Sequence, residues 1–228
     1  WGGFGLVDGR VLALANGGRY DPATDTWAPI TTVGAPEPRG VATGAWVDPY
    51  VVYWGGEERP HYIPLNTGGR YDPRLDVWLP MTTVNAPSPR IYPTAVSSGD
   101  LMIVWGGASG STNFNTGGRY DPMSDTWAPT SLLGAPTPRV GYGVVWTGSE
   151  MVVWGGQEDT PPYTLATGSR YDPRADRWTA TQMVNAPAGR VGHAAVWTGS
   201  LMIIWGGANT VLGGLNTGGR YDPVSDTW

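Results

Sequence analysis

Leu201-Met202-Ile203-Ile204-Trp205-Gly206-Gly207 is a continuously apolar run that ends in two glycines, and the tract Gly218-Gly219-Arg220-Tyr221-Asp222-Pro223 follows it. A short apolar run of this kind predicts a β-strand that is covered on both faces. The two glycines stop this strand and supply backbone freedom. Pro223 ends a second predicted strand, because proline has no N–H to donate to a ladder.

The same pattern recurs along the whole chain, which indicates an internal repeat of about fifty residues. Each copy is predicted to contain four strands. Four landmarks define the copies: the Trp of Trp-Gly-Gly (Trp1, Trp54, Trp105, Trp154, Trp205), the Tyr of Arg-Tyr-Asp-Pro (Tyr20, Tyr71, Tyr120, Tyr171, Tyr221), the Trp of Asp-x-Trp (Trp27, Trp78, Trp127, Trp178, Trp228), and an Arg after a Pro-rich turn (Arg39, Arg90, Arg139, Arg190).

The spacing between landmarks shows which part of the repeat is rigid. Tyr to Trp is 7 residues in every copy, that Trp to the next Arg is 12, and Arg to the Trp of Trp-Gly-Gly is 15. Only the distance from Trp-Gly-Gly to Tyr varies, between 15 and 19 residues. A segment that tolerates length changes is predicted to be a surface loop, and loops on a rigid scaffold commonly carry binding residues.

An apolar strand ending in Gly-Gly, followed by a Tyr and a Trp with six residues between them, resembles the kelch-repeat family, and five copies make the resemblance specific. The resemblance implies an all-β, kelch-type β-propeller with four full four-stranded blades and a partial N-terminal blade, about five blade-equivalents. We expect a single domain over residues 1–228. Its predicted divisions are a partial blade at 1–38 and repeats at 39–89, 90–138, 139–189 and 190–228.

The first blade is predicted to lack its first strand, and Trp1-Gly2-Gly3 is all that remains of its second. An open ring would expose a sheet edge and the apolar faces that bury Trp27 and Tyr20. We therefore expect either that missing blades come from a longer chain, or that a second copy completes the ring as a homo-oligomer.

Composition excludes several functional classes. The chain has no cysteine, which excludes disulfides, Cys-ligated zinc and thiol catalysis. Its net charge of −5 and lack of basic runs argue against nucleic-acid binding. No apolar run is long enough to span a membrane. A secreted or periplasmic location is favoured over others.

The thirteen tryptophans suggest carbohydrate binding, but each has a fixed repeat address, so most are predicted to be core between blades. Calcium binding by the repeat aspartates is an alternative that lacks enough converging oxygens. His61 and His193 occupy different repeat positions, which argues against a histidine-based metal or catalytic site. We expect no cofactor, no metal and no catalytic residue.

Candidate binding residues lie in the variable segments, which differ chemically from copy to copy. They are Arg10, Glu57, Glu58, Arg59, His61, Tyr62, Asn113, Phe114, Gln157, Glu158, Asp159 and Tyr163. By symmetry, the four repeat arginines are predicted to form a ring at one mouth of the central channel, Arg39, Arg90, Arg139 and Arg190. Such a ring would either hold an anion or pair with backbone carbonyls, and the second role is favoured.

Three functions remain open. The favoured one is a scaffold that binds a protein or a small ligand through the variable loops. The second is a structural unit that assembles through its incomplete ring. The third, least favoured, is a propeller-type enzyme acting on glycans or lactones.

Overall fold

A computed structural model describes residues 1–211 and 213–228. All regular elements in these residues are β-strands. Among them, no helix has the length and apolarity needed to cross a lipid bilayer. The chain divides into two compact units, the first comprising Trp1–Met102 and Tyr120–Ala128 and the second Ile103–Arg119 and Pro129–Trp228. The single domain expected from the repeats stays a prediction.

The strands are short and follow the repeat. Those up to residue 97 are β1 (Phe4–Val7), β2 (Arg10–Ala13), β3 (Gly18–Asp21), β4 (Thr26–Pro29), β5 (Thr43–Val47), β6 (Tyr50–Trp54), β7 (Glu57–Glu58), β8 (Ile63–Pro64), β9 (Gly68–Asp72), β10 (Val77–Pro80) and β11 (Thr94–Ser97). The others are β12 (Met102–Trp105), β13 (Ala108–Ser109), β14 (Thr112–Asn113), β15 (Gly117–Asp121), β16 (Thr126–Pro129), β17 (Gly143–Trp146), β18 (Met151–Trp154), β19 (Gly168–Asp172), β20 (Arg177–Ala180), β21 (Ala194–Trp197), β22 (Met202–Trp205), β23 (Ala208–Asn209), β24 (Gly213–Gly214) and β25 (Gly218–Tyr221).

Each complete repeat forms an antiparallel meander. The first unit contains the sheet β5-β6-β9-β10, and the second contains β17-β18-β19-β20 and the three-stranded β21-β22-β25. A further four-stranded sheet has the order β11-β12-β15-β16. The first strands of successive sheets lie beside each other, β5 with β11 in the first unit and β17 with β21 in the second. The four-strand reading of the repeat is therefore confirmed for three copies.

The apolar strand before Gly-Gly forms the centre of each complete sheet. In β18 all four residues from Met151 to Trp154 are buried, as expected for a strand covered on both faces. Tyr171 lies opposite Met151 on one side and Trp178 on the other. Burial of such large apolar groups, worth ~1.5–3 kcal/mol for each side chain, supplies most of the cohesion.

The prediction that tryptophans form the core is right for six of them and wrong for others. The buried six are Trp54, Trp78, Trp105, Trp127, Trp154 and Trp178. By contrast, Trp27 is 71% exposed and Trp205 is 60% exposed. The reason is the direction of packing. Trp154 packs against Trp228 of the following repeat at 5.0 Å between ring centroids, whereas Trp205 has no such ring contact within the described residues.

A repeated polar contact, the Tyr–Asp–Trp clamp, joins each repeat to the one before it. In one copy Asp176 Oδ1 accepts hydrogen bonds from Tyr171 Oη at 2.6 Å and from the Ser131 amide at 2.8 Å. Trp178 Nε1 donates to the Ser131 carbonyl at 3.0 Å. Burial and the hydrogen bond to Asp176 raise the pKa of Tyr171, so its hydroxyl stays protonated as the donor. The same contacts recur at Asp76 with Thr31, at Asp125 with Thr82 and at Asp226 with Gln182.

Aspartate suits the clamp for a second reason. Asp176 adopts a left-handed backbone conformation with φ of 48°, and its four counterparts have φ between 52° and 55°. Among residues with a side chain, Asp and Asn tolerate this region best. One residue therefore makes the turn before the tryptophan and accepts hydrogen bonds from two repeats.

Replacing the clamp carboxylate is expected to destabilise the fold. Asp176→Ala removes the acceptor for Tyr171 and for the Ser131 amide, and should cost roughly 1–3 kcal/mol of unfolding free energy in urea titrations. Asp176→Asn keeps an acceptor oxygen and the turn preference, so it should cost less. Asp159→Ala, in a variable segment, serves as the control. Equal stability of Asp176→Ala and the control would contradict the clamp.

Candidate functional site

The variable segments are short hairpins in this structure. They were predicted as loops, but four of the five contain a two-stranded antiparallel sheet: β1–β2, β7–β8, β13–β14 and β23–β24. In the remaining copy a single bridge pairs Gln157 with Thr164. Length differences between repeats are therefore confined to hairpins, which hold their side chains in fixed directions.

A repeat arginine closes the base of its hairpin. Arg139 Nη1 donates to the carbonyls of Gly155 and Thr167, at 3.0 and 2.9 Å, and these residues flank the fourth variable segment. Arg39 makes the same pair of contacts with Gly55 and Thr67. Arg190 does so with Gly206 and Thr217. The contacts depend on the two ends of the segment, so its length can vary without disturbing them.

All four repeat arginines, Arg39, Arg90, Arg139 and Arg190, are buried with at most 1% of their surface exposed. Burial lowers the pKa of Arg139 to about 10, which still leaves it charged at neutral pH. Guanidinium groups that donate to carbonyls and have no exposed surface favour a structural role over anion binding. Their arrangement as a ring around a channel stays a prediction.

In the first unit, hairpins β1–β2 and β7–β8 meet around one arginine. The guanidinium carbon of Arg59 lies 3.7 Å from the ring centroid of Tyr62 and 4.7 Å from that of Phe4. Its Nη2 is 2.6 Å from Oε1 of Glu57, which is almost completely buried. Stacking between two rings and pairing with a carboxylate fix the guanidinium in one orientation.

The two hairpins are held against the sheet behind them. Glu57 and Gly40 exchange backbone hydrogen bonds at 2.9 and 3.0 Å, which ties β7 to the chain just before β5. The Phe4 ring lies so close to Gly40 that a Cβ atom at this position would overlap it. Only glycine allows this approach, so Gly40 is needed for Phe4 to reach Arg59.

Around this centre the hairpins expose apolar side chains. Leu6 and Val11 are cross-strand partners, so both point to the same face of the hairpin as Phe4. Leu6 is 75% exposed, and Tyr62 and Ile63 on the other hairpin are also exposed. We call this combined face the Arg59 surface; it consists of Phe4, Leu6, Val11, Glu57, Arg59, Tyr62 and Ile63.

The structure brings together only part of the predicted site in the first unit. Glu57, Arg59 and Tyr62 are in contact, whereas Glu58 pairs with His61 at 3.0 Å. Arg10 is exposed on β2. Sequence reasoning missed Phe4, Leu6, Val11 and Ile63, although the apolar residues on both sides of Asp8-Gly9 were a signal for a hairpin.

In the second unit, the third and fourth variable segments are linked. Asn113 Nδ2 donates to Asp159 Oδ1 at 3.1 Å. The Glu158 amide donates to the Tyr163 carbonyl at 2.9 Å, and the Tyr163 side chain is exposed. The two other candidates here take part in backbone pairing, Gln157 with Val140 and Phe114 with Gly107. No group of three or more metal-ligating side chains occurs in the part of the chain that is described.

His193 is a buried titratable group next to these hairpins. Its ring packs against Trp154 at 5.4 Å, and burial, with a smaller contribution from the cation of Arg190, lowers its pKa to about 4. It occupies the repeat position that Tyr142 holds in the preceding copy, where the tyrosine hydroxyl donates to the Trp105 carbonyl at 2.7 Å. Both side chains fill the same space between successive repeats.

Stability should fall as pH decreases from about 6.5 to about 4, because the unfolded chain binds a proton at His193 before the folded chain does. Below about 4 the contribution of His193 to this loss should level off, because both states are then protonated. Thermal unfolding measured across this range should show a smaller decrease for His193→Tyr, which copies Tyr142. The control His61→Gln removes an exposed imidazole and should behave like wild type. An unchanged pH dependence in His193→Tyr would contradict this assignment.

A family model, described as the KLHDC2/KLHL20/DRC7 Kelch-repeats domain, matches residues 1–207. No curated protein matches the sequence. Kelch-repeat domains generally mediate protein interactions, and the family consists generally of non-enzymatic scaffolds. The match extends over most of the chain and agrees with its repeated four-stranded sheets. The chain therefore belongs to the kelch-repeat family and has the all-β fold of a kelch propeller.

Proposed function

We propose that this chain binds a protein partner through the Arg59 surface. The observation that carries this proposal is the stacking of Arg59 between Phe4 and Tyr62 on a face that also exposes Leu6 and Ile63. Family membership supports a protein as the ligand.

The composition of this surface supports the proposal. Aromatic residues and arginine are enriched at the centres of protein interfaces, where they contribute most of the binding energy. Exposed aliphatic side chains next to one another favour a partner that covers them. The guanidinium group of Arg59 lies against two aromatic rings and is still partly exposed, so a partner can contact it.

The rigidity of the surface supports it as well. Arg59 is already fixed by Glu57 and by two rings, so little rotamer entropy remains to be lost on binding. Backbone pairing between Gly40 and Glu57 holds the hairpin itself. A surface ordered before the partner arrives binds more tightly than a flexible loop of the same composition.

The test is a quantitative affinity purification from cells with the full chain as bait. The double variant Leu6→Ser with Tyr62→Ala should lose at least one protein that wild type retains, by about tenfold or more, as expected for interface hot spots. Circular dichroism of each variant confirms that it is folded.

The matched control is Leu75→Ser. Leu75 is 71% exposed, comparable to Leu6, but lies in the turn after β9, at the end of that strand away from the hairpin. It should retain the same proteins as wild type. If both variants lose the same proteins, or if neither loses any, the Arg59 surface is not the binding surface.

A further inference from the structure

A concave site lies in the second unit, where two successive repeats meet, apart from the hairpins of the variable segments. Its volume is about 520 Å³, within the ~300–1,000 Å³ range of small-molecule sites. The turns at 147–150, 199–201 and 222–224 form its walls, together with the side chain of Trp197. We call this site the Trp197 pocket.

The walls of the Trp197 pocket are ordered by their own hydrogen bonds. Thr147 Oγ1 accepts from the Glu150 amide at 3.0 Å, and Thr198 Oγ1 accepts from the Leu201 amide at 3.1 Å. Asp222 Oδ1 accepts from the Val224 amide at 2.8 Å. The pocket is therefore formed in advance, and a ligand would not have to order it.

Trp197 differs from Trp178 and Trp228, which join successive repeats. It packs partly against the buried cluster that contains Val145 and Met202, and it also lines the pocket. The indoles of Trp178 and Trp228 donate to backbone carbonyls. Within the described residues the indole N–H of Trp197 has no such partner, and neither does the hydroxyl of Ser200.

The polar groups of the pocket include both donors and acceptors. Trp197, Ser149 and Ser200 offer N–H and O–H groups, and Glu150 offers a carboxylate. An anion would meet the charges of Glu150 and Asp222. The carboxylate of Glu150 is already paired with a cation, because its Oε2 lies 3.7 Å from Nη1 of Arg170. A neutral ligand that both donates and accepts hydrogen bonds fits this set best.

We propose that the Trp197 pocket binds a pyranose residue of a neutral glycan. A pyranose ring has an apolar C–H face that stacks on an indole, and hydroxyls that both donate and accept. Glu150 and Ser200 bind these hydroxyls while Trp197 supplies the stacking surface. This inference is independent of the Arg59 surface, because the two sites share no residue.

The repeat itself provides a comparison. In the first unit, Ser97 on β11 holds the position that Trp197 holds on β21, seven residues after the repeat arginine. No indole is available at that position. In the preceding copy of the same unit the position is Trp46, which is about half exposed. The chain thus supplies both a natural replacement for Trp197 and a matched tryptophan.

The experiment is saturation-transfer NMR and calorimetry on the full chain with the methyl pyranosides of glucose, galactose, mannose and N-acetylglucosamine at millimolar concentration. At least one should bind saturably. Trp197→Ser should abolish that binding, and Glu150→Gln should weaken it by about tenfold, as expected for a hydrogen bond to a charged group. Ser200→Ala changes an exposed position and leaves the core intact. It should also weaken the binding, because Ser200 binds a hydroxyl of the ligand.

Trp46→Ser is the control and should bind as wild type does. The proposal is overturned if no pyranoside binds, or if binding survives in both Trp197→Ser and Glu150→Gln. It is also overturned if butylammonium or acetate, and no pyranoside, binds in a manner that depends on Glu150 and Ser200. The last result would assign the pocket to a charged side chain of a protein instead.

Discussion

In four of the five repeats, one carboxylate holds two repeats together. At Asp176 it accepts the hydroxyl of Tyr171 from its own repeat and the amide of Ser131 from the preceding one, while Trp178 donates back to the Ser131 carbonyl. These groups are not free to move apart without leaving a buried donor or acceptor unpaired, which is costly. The constant spacing between Tyr and Trp follows from this constraint.

The two proposed binding surfaces lie outside the groups that the clamp constrains. Arg139 donates to both ends of its variable segment, at Gly155 and Thr167. The segment between these ends can therefore change in length while the scaffold stays the same. The Arg59 surface is built on two such hairpins. The Trp197 pocket depends on variation in residue type between copies, since position 197 is Trp in one copy and its counterpart is Ser97 in another. The residues that recur in every copy hold the scaffold, and the residues that differ between copies form the proposed binding sites.

Much of the fold could be predicted from the sequence, because strand positions follow from short apolar runs, glycine pairs and proline. The four-strand repeat and the burial of Trp54, Trp105 and Trp154 are examples. The Arg59 surface and the Trp197 pocket could not be predicted in this way. Arg59 stacks on Phe4, which is 55 residues away, and no local pattern predicts that contact. The exposure of Trp205 and the pocket at Trp197 likewise depend on which neighbouring repeat covers each indole.

The most direct test of this account is native-state hydrogen exchange of the amides that donate to the clamp carboxylates, those of Thr31, Thr82, Ser131 and Gln182. If the clamp is the constraint on which the fold depends, these amides should exchange as slowly as strand-centre amides such as that of Val153, although they lie outside the strands. The amides of Asp8 and Gly9, in a hairpin turn, should exchange quickly. Clamp amides that exchange as fast as that of Gly9 would contradict the account.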